Sequence, residues 1–383
     1  MKRPLLLVEA LATRNDSGLG NMTRLFVDGL RGLAEFADIK VVLPRSGTYR
    51  PGAHCETLLV SPRPVRLWMQ VVFPLLIRKL KPDAVFCLGQ NLPRFRPATR
   101  YVLAIPDAGP LEDLGMVTSS YDTFNRRWLR SMAPRADAIV TISGFTKDRL
   151  VALLGIPPAR IRVVLPIRPA GLTESVAEVG RPGSAPGSDP HAMGSHPPGE
   201  YFLALGNVEP RKNFPGLIAA YAALKSRRAD APPLYIAGHK AWGTAATEAA
   251  VEKFGLGGSV RLTGYLSDAD RRAHLDHCSV YVSSSLYEGW GLPLFEALSR
   301  GKPAIYQAGS SQEEFARGVA LAVDCRDPEA VSRAMETLWC DGGERERLGR
   351  AMASLFPRIQ AYDLEGVLND ALRPLLEGLK RDP

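Results

Sequence analysis

Cysteine is scarce in this chain of 383 residues: five, at positions 55, 87, 278, 325 and 340, an odd number with no CxxC pair. A small scaffold stapled by disulfides is therefore excluded, and a reducing cytosol fits. Also missing is any run of the roughly 18–20 uninterrupted apolar residues that a bilayer-crossing helix needs. The opening MKRPLLLVEA joins basic residues to a short apolar run, as a signal peptide does. That run stops at Glu9 with no small-residue cleavage site after it, so a buried first β-strand is expected instead. No Walker loop, GxSxG elbow or DxD carboxylate pair falls in a candidate active turn, so the sequence calls for neither metal nor cofactor. His274 and His277 lie three apart without a third ligand nearby and read as surface histidines.

What is present is an ordinary globular composition, 45% hydrophobic and 23% charged, in a chain long enough for two domains. The formal net charge of +8 attracts anionic partners: nucleic acid, anionic lipid or phosphorylated substrates. Nucleic-acid binding lacks both aromatic interleaving and a reading helix, leaving net charge as its only support.

Short runs rich in Val, Ile and Leu recur between helical patterns. Strands are expected at Leu5–Val8, Ile39–Leu43, Ala84–Leu88, Tyr101–Ile105, Ala138–Ile142 and Ile161–Leu165. Six more are expected at Phe202–Gly206, Leu234–Gly238, Val260–Thr263, Val280–Ser283, Pro303–Tyr306 and Ala320–Val323. Such continuously apolar strands alternating with helices imply parallel sheets covered on both faces, an α/β class. Between the halves, residues 170–199 are dominated by Gly, Pro and Ser and keep no apolar periodicity, which reads as a flexible linker. The expected domains are 1–169 and 200–357, with a last helix over about 360–380 that can pack back on the first.

In open α/β sheets, ligands bind in the turns after the carboxyl ends of strands. The richest such turn is SSSLYEGWGLPLFEALSRGKP, Ser283–Pro303. Glu288 falls in the turn and a helix begins near Leu292–Pro293, with Pro tolerated in its first turn. Gly289 and Gly291 allow the backbone N–H groups of Trp290, Gly291 and Leu292 to point outward at the helix start, an anion site suited to a pyrophosphate. Glu296 lies one turn into the helix. Two carboxylates then bracket the site and suit hydroxyls, a ribose on one side and a hexose on the other. The plainer alternative makes Glu288 a solvated loop residue and Glu296 a helix-surface charge.

The second turn, GNVEPRKNFPGLIAAY, places Arg211 and Lys212 before a helix starting near Phe214. Two cations there neutralise a diphosphate leaving group; alone, such a pair is a solvated face. The third, RNDSGLGNMTRLFVDGL, follows the first strand. Its Gly18 and Gly20 permit close backbone approach to a ligand before a helix starting about Asn21. The full GxGxxG spacing is absent, which disfavours a nicotinamide site. Asp107 follows the fourth expected strand and suits either an acceptor hydroxyl or a turn cap. Ser143 and Thr146 read as N-cap residues.

With these turns assembled, SLYEGWGLPLFEALSRGKP resembles the Glu-x7-Glu signature of the family 4 retaining glycosyltransferases, and GWGLP is close to that family's GFGLP. GNVEPRKN looks like the family's pyrophosphate turn, TISGFTKDRLVALLGIPPARIRVV like the segment closing its amino-terminal domain, and GYLSDADRRAHLDHCSVYVSSS like its strand–helix–strand lead-in. The resemblance is strong over about residues 200–335 and weaker before. It implies the GT-B fold, two Rossmann-like parallel-sheet domains facing a central cleft. It also implies roles: Glu296 on the donor ribose, Glu288 on the transferred hexose, and Arg211 and Lys212 on the diphosphate together with the backbone of Gly289 to Leu292. Gly18 and Gly20 would close the phosphate from the other domain. Two departures stand out. Pro106 and Asp107 occupy the place of a frequent His-Asp pair, and Leu165–Pro166–Ile167–Arg168 replaces a common Asn-Gly-Val-Asp.

The expectation is thus a retaining, metal-independent hexosyltransferase, mannose favoured. It moves sugar from a GDP- or UDP-sugar to a saccharide or polyprenyl- or lipid-linked acceptor in polysaccharide or lipopolysaccharide biosynthesis, in the cytoplasm or at the inner face of its membrane. Alternatives are a catalytically inactive nucleotide-sugar-binding protein or a sugar-nucleotide epimerase-like enzyme of the same fold. The basic, aromatic segment Arg63–Lys81 suits an anionic membrane surface; a domain helix with a solvated basic rim is the competing and favoured reading. No nucleic-acid partner is expected.

Overall fold

The computed structural model describes residues 3–15, 18–112, 120–167 and 196–377. The chain divides into two compact units, one of residues 1–168 with 362–383, the other of residues 169–361. The linker expected over 170–199 lies outside the described residues up to position 195.

The first unit is built on seven strands: β1 (Leu5–Glu9), β2 (Asp38–Pro44), β3 (Glu56–Val60), β4 (Ala84–Cys87), β5 (Arg100–Ala104), β6 (Ala138–Thr141) and β7 (Ile161–Val163). Their order is β3-β2-β1-β4-β5-β6-β7 and every pairing is parallel. The second unit has β8 (Phe202–Leu205), β9 (Leu234–Ala237), β10 (Val260–Gly264), β11 (Val280–Val282), β12 (Ala304–Gln307) and β13 (Leu321–Val323). Its order is β10-β9-β8-β11-β12-β13, again parallel throughout. Buried apolar strands such as AVFC and FLAL occupy the sheet centres because helices cover both faces and leave no side for water.

All twelve expected strands are present with ends shifted by a residue or two; β3 is the addition. Its sequence ETLLV mixes exposed and half-buried positions at a sheet edge, so it lacks the continuous buried apolar run of a central strand. Both sheets reverse strand order at one place, between β1 and β4 and between β8 and β11. These are the points where open α/β sheets leave a crevice for ligands.

The last helix, Leu364–Glu377, belongs to the first unit. Leu364 and Leu368 lie so close over Gly29 that a Cβ there would sit 2.7 Å from Leu368. Arg100 donates to the Leu375 carbonyl at 2.9 Å, and the Leu165 N–H donates to the Tyr362 hydroxyl at 2.7 Å. The Leu165–Arg168 departure is therefore tied, at its start, to the residue that leads back into this unit. Leu368 is fully buried. Replacing it by Ala should lower the unfolding free energy of the first unit by about 2–5 kcal/mol, read as an earlier urea transition; an unchanged transition would show the helix is not packed there.

Candidate functional site

The turns following β8 and β11 flank the order reversal of the second sheet, and the structure joins them through charge. After β8 the chain makes a short 3-10 turn, Pro210–Lys212, and enters the helix Phe214–Arg227. After β11, residues 283–291 lead into the helix Leu292–Ser299. Glu288, only 9% exposed, accepts from Lys212 Nζ at 2.5 Å on one oxygen and from Arg211 Nη1 at 3.1 Å on the other. Backbone bonds lock the same two turns together. The Leu286 N–H donates to the Arg211 carbonyl at 2.8 Å, and Ser284 Oγ donates to the Lys212 carbonyl at 2.7 Å. Ser311 Oγ in turn donates to the Glu288 carbonyl at 2.7 Å.

The electrostatics follow from burial and pairing. Burial alone raises the Glu288 pKa, but Lys212 and Arg211 outweigh it and hold the carboxyl at about 2. Burial pulls the Lys212 ammonium down from the ordinary lysine range, with Glu288 opposing. Lys212, 6% exposed, is therefore no solvated surface cation; its charge depends on its neighbour. The Arg211 side chain keeps 40% exposure and also reaches Glu209 at 3.0 Å. Lys212, Arg211 and Ser285 all bond the Glu288 carboxylate; with about four lone-pair sites it retains room for one ligand hydroxyl.

The start of the next helix is built as an anion site. Gly291 adopts φ +92°, a conformation open to glycine, and a Cβ on it would meet the Gln312 amide at 2.5 Å. Gln312 Nε2 donates to Ser283 Oγ at 2.8 Å, which seats that amide beneath the turn. The backbone N–H groups of Trp290, Gly291 and Leu292 meet no acceptor among the described residues, although Trp290 and Gly291 are buried. The Trp290 ring packs 4.8 Å from Phe315 and 6.2 Å from Phe295 between centroids, so its side chain serves the core while its backbone lines the turn. Gly289 sits between Glu288 and this tryptophan.

Glu296 engages a different partner. Its carboxylate forms an ion pair with Arg271, which extends from the helix Asp268–His277 and also contacts Asp268 at 3.4 Å. The structure thus gathers Glu288, Arg211, Lys212 and the helix N-terminus into one cluster, while Glu296, one turn into that helix, is held by Arg271 from the neighbouring helix. Arg271, Ser311 and Gln312 escaped sequence reasoning because their role depends on which helices abut, and no local spacing carries that.

In the first unit, the helix containing Gly18 and Gly20 starts at Gly18 rather than near Asn21. A Cβ at Gly20 would lie 1.9 Å from the Asn15 carbonyl, so this glycine admits its own preceding loop; Gly18 has open space around it. Asp107 accepts from the Gly109 N–H at 3.0 Å and caps the short turn Gly109–Leu111. Ser143 caps the helix Gly144–Leu154 by accepting from the Thr146 N–H at 3.0 Å. The expected surface position of His274 is corrected: it is 5% exposed, its ring bonded to the Asp270 carbonyl at 2.8 Å, because β8 and β9 bring Tyr201 and Tyr235 against it. Among the described residues, no group of three or more His, Cys, Asp and Glu side chains is placed to hold a metal ion.

Glu9, at the end of β1, entered the sequence reading only as the stop of the first apolar run. Its 2%-exposed carboxylate accepts from the Leu11 and Gly89 N–H groups, each at 2.9 Å, and clamps the loops after β1 and β4. Burial raises its pKa, opposed by those two backbone donors. The available signal was positional: it is the first charged side chain after a buried strand.

Removing the Glu288 carboxylate strands a buried ammonium, so Glu288→Ala should cost about 3–5 kcal/mol of stability in chemical denaturation. Because its folded pKa lies below the unfolded 4.5, the ion cluster stabilises above that value and the contribution fades as pH falls toward 2. An acid titration of unfolding free energy should show this loss in the native protein and a flatter curve in Glu288→Gln. Identical curves would show that the charge is not coupled to folding.

Comparison with known proteins now bears on the site. The family models described as "Glycosyltransferase Family 4" and "Glycosyl transferases group 1" match residues 24–166 and 191–354 respectively, between them covering both units. An O-antigen chain mannosyltransferase B of Escherichia coli is 29% identical over 57% of this chain and 56% of its own length. The chain therefore spans about half the length of that curated relative. Among solved structures, a sucrose-phosphate synthase from Thermosynechococcus elongatus aligns over 98% of this chain and all of its own, with TM-score 0.72 and 16% identity. HepE of Anabaena in complex with UDP-glucose aligns over 98% of this chain and all of its own, with TM-score 0.68 and 14% identity. These structural likenesses establish the GT-B fold, and with both family models matched, the chain belongs to the family 4 glycosyltransferases.

Proposed function

We propose that the protein transfers a hexose, with mannose favoured, from a nucleoside-diphosphate sugar to a saccharide or lipid-linked glycan in O-antigen or lipopolysaccharide biosynthesis. The observation that carries this reading is the buried Glu288 bonded to both Arg211 and Lys212 beside the unpaired N–H groups of Trp290, Gly291 and Leu292. A diphosphate seats on those N–H groups and draws on Arg211, the solvent-facing cation. Glu288 turns its remaining lone pair to a hexose hydroxyl, and Glu296, steadied by Arg271, takes the ribose hydroxyls. UDP-glucose bound to a structural neighbour and the mannosyltransferase name of the curated relative support the donor class, with GDP- and UDP-sugars as the candidates.

In the proposed reaction the acceptor hydroxyl oxygen bonds to the anomeric carbon on the face from which the diphosphate oxygen departs, and its proton passes to that leaving oxygen. Configuration is retained and no metal is required. In the first unit, Asp107 is the side chain assigned to orienting the acceptor. Catalysis takes place in the cytoplasm, with the enzyme peripheral to the inner face of the membrane.

Three measurements test this. Thermal shift against a panel of GDP- and UDP-sugars should single out one donor, since a ligand at 100 times its dissociation constant adds about 2.7 kcal/mol; no shift with any donor sinks the reading. Arg211→Ala should lower turnover of that donor roughly 10²–10³-fold, the usual cost of removing one stabilising donor from a developing anion. Turnover unchanged in that variant would remove Arg211 from the reaction. Arg271→Met should raise the donor KM with kcat nearly unchanged, because it frees the ribose-holding carboxylate without touching the leaving group.

A further inference from the structure

The helical run over residues 65–80 buries one face completely and leaves an apolar stripe on the other. Trp68, Met69, Phe73 and Ile77 are in the core of the first unit, Trp68 stacking on Phe73 at 5.3 Å between centroids. Yet Leu67 is 57% exposed, Val71 49% and Leu75 60%. These three recur at a spacing of four residues and share one outward side of the helix. The core does not need them, and a solvated face of a soluble domain ordinarily carries polar residues there.

The charge around the stripe has one sign. Between residues 61 and 106 the sequence holds eight cations and a single acid, Asp83, whose carboxylate accepts the Leu5 N–H inside the fold. Arg63, Arg66, Arg78, Lys79, Lys81 and Arg94 are all exposed. Beside the beginning of the helix lies a cavity of about 400 Å³ lined by Arg66, Gln70, Asn91, Arg94, Phe95 and Trp128. Gln70 accepts the Arg94 N–H at 2.8 Å, the Arg94 guanidinium lies 5.8 Å over the Trp128 ring, and Phe95 is 61% exposed at the rim. The Gln70 and Asn91 amide nitrogens donate to the Leu92 and Gly89 carbonyls and fix the cup, whose cationic groups are Arg66 and Arg94, with aromatic and aliphatic surface leading out of it.

We infer that this face of the first unit docks on a bilayer containing anionic phospholipid. Leu67, Val71, Leu75 and Phe95 enter the headgroup–acyl boundary, the exposed cations lie against the anionic surface, and the cup between Arg66 and Arg94 takes one lipid phosphate. The physics is that of an interfacial amphipathic helix, in which apolar insertion and attraction to anionic lipid are both needed for firm attachment. The inference deepens the proposed function only in supplying a lipid-linked acceptor at the surface that bears it.

Co-sedimentation of the full chain with vesicles of phosphatidylcholine, with and without phosphatidylglycerol, tests the inference. Binding should require phosphatidylglycerol, should fall about five-fold for each cation removed in Arg78→Gln and Lys79→Gln, and should fall further in the Leu67→Gln, Leu75→Gln double variant. Inorganic phosphate should not release the protein from the vesicles. Release by phosphate would show an isolated anion pocket in place of a membrane face. Absence of vesicle binding, binding untouched by the leucine changes, or a self-associated species that those changes dissolve would each overturn the inference. Thermal shift with the nucleotide sugar on the same preparations separates the two proposals: donor binding without vesicle binding defeats this one, and the membrane placement with it, and leaves the transfer reaction standing.

Discussion

Lys212 and Glu288 are both removed from water, and neither is tolerable there without the other. An isolated buried ammonium or carboxylate costs several kcal/mol even after relaxation, and Arg211 brings a further positive charge to the same carboxylate. The pair therefore dictates that the turns after β8 and β11 close on each other, and the backbone bonds from Leu286 and Ser284 follow from that approach. Once the second turn is held, Gly291 bends the chain into a helix at whose start the N–H groups meet no acceptor among the described residues. The same charges that stabilise the fold define the polarity of the crevice at the sheet's order reversal.

Such an arrangement explains why the cluster is nearly neutral before any ligand arrives. Glu209 and Glu288 offset Arg211 and Lys212, so the turn does not repel itself in the absence of an anion. Backbone N–H groups, which carry no net charge, supply the remaining attraction. An anion binding there adds to a preformed frame rather than assembling one, which limits the reorganisation that binding must drive.

Much of this was legible in the sequence, and the reasons are physical. Central strands such as AVFC announce themselves because both faces must be apolar, and Glu288, Gly291 and the helix beginning at Leu292 are adjacent in the chain. Arg211 and Lys212 were visible as a pair, but their burial was not, because it arises from a partner 76 residues away. The edge strand β3 was invisible since none of its residues is fully buried and its pattern carries no continuous buried apolar run. Arg271 on Glu296, His274 under two tyrosines and Gly20 against its own loop all depend on which elements touch, and no periodicity encodes that. The last helix was left between two homes for a related reason: its apolar face fits any apolar groove, and only Gly29 and Arg100 identify the one it occupies.

The return of Leu364–Glu377 to the first unit has a consequence for synthesis on the ribosome. Domains generally form as soon as their own residues emerge, the earlier one first. Here the second unit is contiguous in the chain and can complete itself while the first still lacks the helix that covers Gly29, Leu30 and Phe36. The order of maturation is therefore inverted relative to the order of translation. In the interval, an apolar groove on the nascent first unit stands open for chaperones to recognise.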